Sequence, residues 1–170
     1  YPPQYPDISY GIGVVGGEVA TLVPEGADAT YLVPTNDAVD VNNPAASPPW
    51  NDPAFDDVSW DATPLGLGYS VNQDNYDGFI GTNGDVQDRM SGTNVSAYLR
   101  VPFVVADPGQ VASLTLGIRY DDGFAAYING GTSTVAAANS RADDELRFTS
   151  TATANHADSV AIAFEAFTLD

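Results

Sequence analysis

The 170 residues leave room for one domain, and a 44% share of hydrophobic residues is enough for a sizeable core. A net charge of −18, with five arginines as the whole basic complement, repels nucleic acid and anionic lipid and excludes both as partners. The absence of cysteine and a single histidine exclude disulfides, thiol nucleophiles and zinc clusters, and no apolar run approaches the roughly 20 residues that cross a bilayer.

Residues 1–17, rich in Pro and Gly, read as an irregular arm or linker, which leaves 18–170 as the domain. Short apolar runs at 18–23 and 30–33, each closed by a proline, have strand length and composition. Residues 36–53 are a long turn-rich loop, and 66–92 are mostly loop. From Asn94 the pattern is regular. Residues 94–105 predict a long strand with Val95, Ala97, Leu99, Val101 and Phe103 on one parity. Residues 111–120 predict a second strand, with Leu114, Leu116, Ile118 and Tyr120 on one face. Asp121-Asp122-Gly123 reads as a tight hairpin turn into a strand at 124–129, and Asn129-Gly130 turns again. Residues 135–147 have room for one short helical turn, and 159–169 predict the last strand. Many short strands joined by Gly, Asp, Asn and Pro loops predict an all-β chain, an antiparallel β-sandwich with function in its end loops.

Catalysis finds little footing. His156 stands alone, without a nucleophile elbow, and is read as a locally hydrogen-bonded loop histidine. Acidic neighbours such as Asp56-Asp57 and Asp143-Asp144 would point to opposite faces of a strand, which argues against a hydrolytic pair. Calcium fits better, because hard cations take carboxylate and carbonyl oxygens from flexible loops. Asp37, Asp40 and Asn42 are the first candidate set, and Asp74, Asp77 and Asp85 a looser second. Sugar recognition uses aromatic faces and amide or carboxylate edges. Trp50, Tyr69 and Tyr76 are the candidate stacking residues, with residues 72–75 (Asn-Gln-Asp-Asn) as polar edges and Asp121 and Asp122 as further ligands at the sandwich end. Trp60 is read instead as a plug at the core edge, and Arg100 and Arg119 as ion-paired within the acidic field.

Pro-Ala-Phe-Asp-Asp-Val-Ser-Trp at 53–60 resembles the PGFDDSSW motif that opens many galactose-binding-like jelly-roll domains, including the sugar-binding domains attached to β-galactosidase-type enzymes. The likeness continues through Leu22 to Ala27, Gly66-Leu67-Gly68-Tyr69, Ile80-Gly81-Thr82, Met90 and Gly92. Its most specific stretch is Asn94-x-Ser96-x-Tyr98-x-Arg100-x-Pro102-Phe103, then residues 120–130, His156-x-Asp158 and Phe164-Glu165-x-Phe167. Over residues 19–170 the chain is similar to a module recurring in large secreted proteins of marine and planctomycete-type bacteria. It departs from that pattern by an insertion at 41–48 and by Gly130-Gly131-Thr132-Ser133 where the family has NGxEVAR. The resemblance also implies further strands after Asp170, so the sandwich is expected to be incomplete at its C-terminal end.

The resemblance implies a non-catalytic, extracellular or cell-surface module that binds a polysaccharide or surface glycan; calcium, read from the loop carboxylates, is the one expected ion. The alternatives are an adhesive or structural domain completed by a strand from another copy or a second chain, and an accessory domain of a polysaccharide-degrading enzyme.

Overall fold

The computed structural model describes residues 11–15, 18–71 and 76–169, and of the strand Gly11–Val15 it describes the backbone. The strands are β1 (Gly11–Val15), β2 (Glu18–Thr21), β3 (Asp28–Leu32), β4 (Asp61–Pro64), β5 (Tyr98–Arg100), β6 (Val111–Ile118), β7 (Phe124–Ala126), β8 (Ala136–Ala138) and β9 (Glu165–Leu169). Two single-turn helices interrupt them, α1 (Gln87–Met90) and α2 (Asp158–Ala161). The predicted helical turn within 135–147 is a 3-10 turn at Asp143–Glu145. No helix among the described residues is long and apolar enough to cross a membrane.

The chain is all-β, and its described residues form three small antiparallel sheets ordered β2-β1-β6-β9, β4-β3-β5 and β7-β8. In the first sheet β1 pairs on both sides, Ile12 lying opposite Thr21 of β2 and Thr115 of β6. The arm expected over 1–17 therefore gives way at Gly11–Val15, where ladders on both flanks override the weak strand propensity of a glycine-rich segment. The rest of that arm lies outside the described residues.

The second sheet carries the core. Along β3 burial alternates, so Ala29, Tyr31 and Val33 face inward at 4%, 2% and 7% exposure. Val86 closes over Tyr31 and Val33, with Leu67, Tyr69, Met90, Ala97 and Leu99 packed around them. The Tyr31 hydroxyl donates to the Asn83 carbonyl at 3.1 Å and accepts from Arg89, which also pairs with Asp61 at 2.5 Å. The loops beside the core meet backbone to backbone. Gly81 N–H donates to the Gly66 carbonyl at 2.8 Å and Gly68 N–H to the Gly84 carbonyl at 3.0 Å. Gly66 has φ +122°, and a Cβ there would overlap the Phe79 carbonyl.

Several expected strands are shorter than their patterns, 124–129 for instance pairing only over Phe124–Ala126. Of 94–105, only Tyr98–Arg100 pairs, because its partner β3 offers Thr30, Tyr31 and Leu32 and Pro102 has no N–H to extend the ladder. Val104 stands 86% exposed beyond it. The segment 159–169 divides: α2 takes its start, the Ile162 carbonyl accepts from Arg119 Nε at 2.9 Å, and Phe164 lies 3.7 Å from the Arg119 guanidinium. The alanines of that half favour a helical turn, so Val160, Ile162 and Phe164 do not form a strand face. The Asp121-Asp122-Gly123 turn joins strands of different sheets rather than a hairpin, since β7 pairs with β8 and not with β6. Asp122 nevertheless adopts φ +61°.

Candidate functional site

An open cleft of about 2160 Å³ is lined by strands of all three sheets. Its most elaborate wall is built by β5. The odd residues Ala97 and Leu99 pack on the core, which turns Ser96, Tyr98 and Arg100 toward the long loops. Ser96 Oγ donates to the Phe148 carbonyl at 2.6 Å. The Tyr98 hydroxyl donates to Asp40, whose other carboxylate oxygen accepts the Phe148 N–H at 2.9 Å. Arg100 Nε donates to Asp57 at 2.8 Å, and its Nη1 donates to the carbonyls of Trp50 and, at 3.0 Å, Asp52. This row grips the loop 36–60 from inside. Thr30 Oγ1 adds a 2.7 Å bond to Asp57, and that bond, with the Arg100 guanidinium beyond it, holds the carboxyl below the usual carboxylate range.

The grip sets Trp50. Its ring stacks on Tyr98 at 4.8 Å and 8°, meets Tyr127 edge-on at 5.9 Å, and lies 6.5 Å from Trp60. Trp60 also packs against Phe55 at 5.4 Å. Burial pushes the Tyr98 phenol far up, and the Tyr127 phenol to about 12, so both stay neutral hydrogen-bonding groups. Next to Trp50, the Asn51 side chain is 8% exposed. Its Nδ2 donates to the Gly131 carbonyl at 2.7 Å, which turns Oδ1 the other way, and among the described residues no donor reaches that Oδ1. Trp50, Asn51, Tyr98 and Tyr127 all line the cleft.

Trp50, Tyr69, Tyr76, Asp121 and Asp122 line the same cleft but in different settings. Tyr69 packs on the core cluster, and Tyr76 is half-buried. Asp122 Oδ1 accepts from the His156 N–H at 3.1 Å and Asn155 Nδ2 at 3.0 Å. Burial, with Asp122 and Asp158 nearby, raises the Asp121 carboxyl above its usual range. Of the calcium candidates, Asp40 is 1% exposed with both oxygens taken, and Asn42 Nδ2 donates to the Asp143 and Leu146 carbonyls at 2.5 and 2.9 Å. The Asp37 carbonyl accepts from Asn43 Nδ2 at 2.8 Å. These residues stitch the loop to 143–148, and among the described residues no three acidic or histidine side chains gather around a common point. Asp74 and the polar edges at 72–75 lie outside the described residues.

The predicted ion pairs of Arg100 and Arg119 form, with Asp57 at 2.8 Å and Glu25 at 2.5 Å. The ring of His156 hydrogen-bonds across the fold rather than to its own loop, its two nitrogens facing the Tyr120 carbonyl and Glu165, so neither is directed at a serine. Sequence reasoning missed Asn51, Tyr98 and Tyr127. One signal was available for Tyr98, a large aromatic on the parity opposite Ala97 and Leu99. Comparison with family models, curated proteins and solved structures returns no match.

Proposed function

We propose that this chain is a non-catalytic carbohydrate-binding module of an extracellular or cell-surface protein, a jelly-roll relative that takes a polysaccharide or surface glycan in the cleft beside Trp50. The buried Asn51 amide carries this reading. A buried acceptor without a donor is unfavourable by about 1–3 kcal/mol, and a ligand hydroxyl would relieve it once the loop around residue 51 opens to admit it. Its neighbour Trp50 stacks on Tyr98 and meets Tyr127 edge-on, an aromatic cluster whose remaining faces and edges are of the kind that pack on pyranose rings. One or two stacked sugars with one such bond imply roughly −4 to −8 kcal/mol, a millimolar to micromolar affinity. Affinity electrophoresis against a panel of marine and cell-wall polysaccharides, with and without calcium, tests it. Retardation that Asn51→Ala abolishes while the melting temperature holds would support the site. Unretarded migration on every polysaccharide overturns the function.

A second reading is favoured by the sheet edges. Among the described residues, β9 pairs only with β6 and β5 only with β3, and both border the open cleft. An extended segment from a neighbouring chain would complete the sheets, as exposed edges commonly recruit strands. Sedimentation velocity separates the two readings: a concentration-dependent dimer supports strand exchange, and a monomer at every concentration rejects self-completion.

A further inference from the structure

We propose that His156 is a proton-operated latch: as an imidazolium it ties the segment before α2 to both the end of β6 and the start of β9, and on losing a proton it loosens the start of β9 at Glu165. The geometry dictates the protonation. Nδ1 lies 2.8 Å from the Tyr120 carbonyl, which accepts only, so Nδ1 carries hydrogen. Nε2 lies 2.8 Å from Glu165 Oε1, and an ionised carboxylate also accepts only, so Nε2 carries hydrogen too. A neutral ring satisfies one of these acceptors and turns a lone pair on the other.

The surroundings hold the ring in that position. It stacks on Tyr120 at 4.2 Å and 6°, with its side chain 14% exposed. The Tyr120 hydroxyl donates to Glu165 Oε2 at 3.3 Å, so Glu165 faces a donor on each oxygen. The other charged groups around the ring are acidic. Asp121 and Asp122 come from the turn after β6, Asp158 from α2 and Glu165 from β9. Arg119, the nearest cation of β6's end, is directed at the Ile162 carbonyl and Glu25. The Tyr120 carbonyl foremost, then Glu165 and Asp121, raise the imidazole above its ordinary value of about 6.5.

A raised value in the folded state means that the latch stabilises fully below about pH 6.5 and loses that contribution as the pH rises through the folded-state value. Asp122 holds the backbone N–H of His156 and the amide of Asn155 whatever the charge on the ring, so the segment stays tethered to the turn while the imidazole lets Glu165 go. The latch does not depend on whether the cleft binds a saccharide.

The chain has one histidine, so proton NMR gives one imidazole to follow against pH. The expected midpoint lies above the ordinary histidine value, and Glu165→Gln moves it down. Between pH 6 and 8 the melting temperature of the parent falls, and amide exchange in β9 quickens beyond its intrinsic pH dependence. His156→Gln flattens both responses. A parent midpoint at or below the ordinary value overturns the latch. So does an unchanged pH response in His156→Gln; if that variant does not fold, the NMR titration of the parent decides alone.

Discussion

Arg100 and Asp57 meet at 2.8 Å across 43 residues of sequence. The pair joins β5 to the loop that carries Trp50. It is only partly solvated, at 18% and 33% side-chain exposure, and Arg100 simultaneously holds the Trp50 and Asp52 carbonyls. Its role is to place a loop rather than to decorate a surface.

Replacing Asp57 with Asn removes the charge that Arg100 and Thr30 both address. Hydrogen bonds to charged groups contribute about 1.5–3 kcal/mol, and partial exposure puts this one at the lower end. The Asp57 carboxyl is depressed in the folded state, so its contribution is present above about pH 3.8 and is lost as the pH falls through the folded-state value. Chemical denaturation should show Asp57→Asn less stable than the parent at pH 6, with the gap closing toward pH 2. A gap independent of pH would mean that the pair carries no net charge coupling.

Tyr98→Phe should destabilise more than its size suggests. The change removes one hydroxyl but leaves the Asp40 carboxylate, 1% exposed, with the Phe148 N–H as its remaining donor. Leaving a buried charge partly unsatisfied costs about 1–3 kcal/mol or more. Because Trp50 stacks on the same ring, near-UV circular dichroism should keep its tryptophan signal if the substituted ring stays in place. A loss in denaturation midpoint no larger than for an exposed Tyr→Phe change would show that Asp40 finds another donor.

Gly66→Ala and Gly26→Ala separate backbone conformation from space. Both glycines have positive φ, +122° and +73°, but a Cβ at Gly26 meets open space while one at Gly66 runs into the Phe79 carbonyl. Gly26→Ala should cost about 1–2 kcal/mol, the left-handed penalty for one residue. Gly66→Ala should exceed it clearly, since the Gly66 carbonyl also accepts from Gly81 N–H. Melting temperatures of the two variants side by side check the order, and equal losses would place the whole effect in φ.

The chain should turn over no glycoside, ester or peptide substrate above background. Its only imidazole has one nitrogen on a carbonyl and the other on a carboxylate, and neither arrangement activates a hydroxyl. A screen with chromogenic substrates measures this, and turnover abolished by His156→Ala would refute it.

Local chemistry makes much of this protein legible in one dimension. The apolar run at 30–33 marks most of β3, because β-branched, aromatic and aliphatic residues closed by a proline favour a short strand. The pattern at 111–118 emerges as β6 because side chains on a strand alternate whatever the partner, and scarce arginines in an acidic chain have to find carboxylates. Partners decide the rest. Residues 94–105 read as one strand, yet the ladder spans three residues, because β3 ends at Leu32 opposite Tyr98 and Pro102 has no N–H to carry pairing beyond Arg100. Residues 11–15 read as linker until two neighbouring strands pair with them. Asp40 and Asn42 look like ion ligands in the loop, but residues 98 and 143–148 supply their donors and acceptors. The candidate site shows the limit most clearly. Trp50 is visible as an aromatic in a loop, whereas the orphan oxygen of Asn51 and the carbonyl that faces Nδ1 of His156 come from contacts across 80 and 36 residues. Hydrogen-bond satisfaction belongs to the folded chain, because it depends on which groups packing brings within about 3 Å of each other.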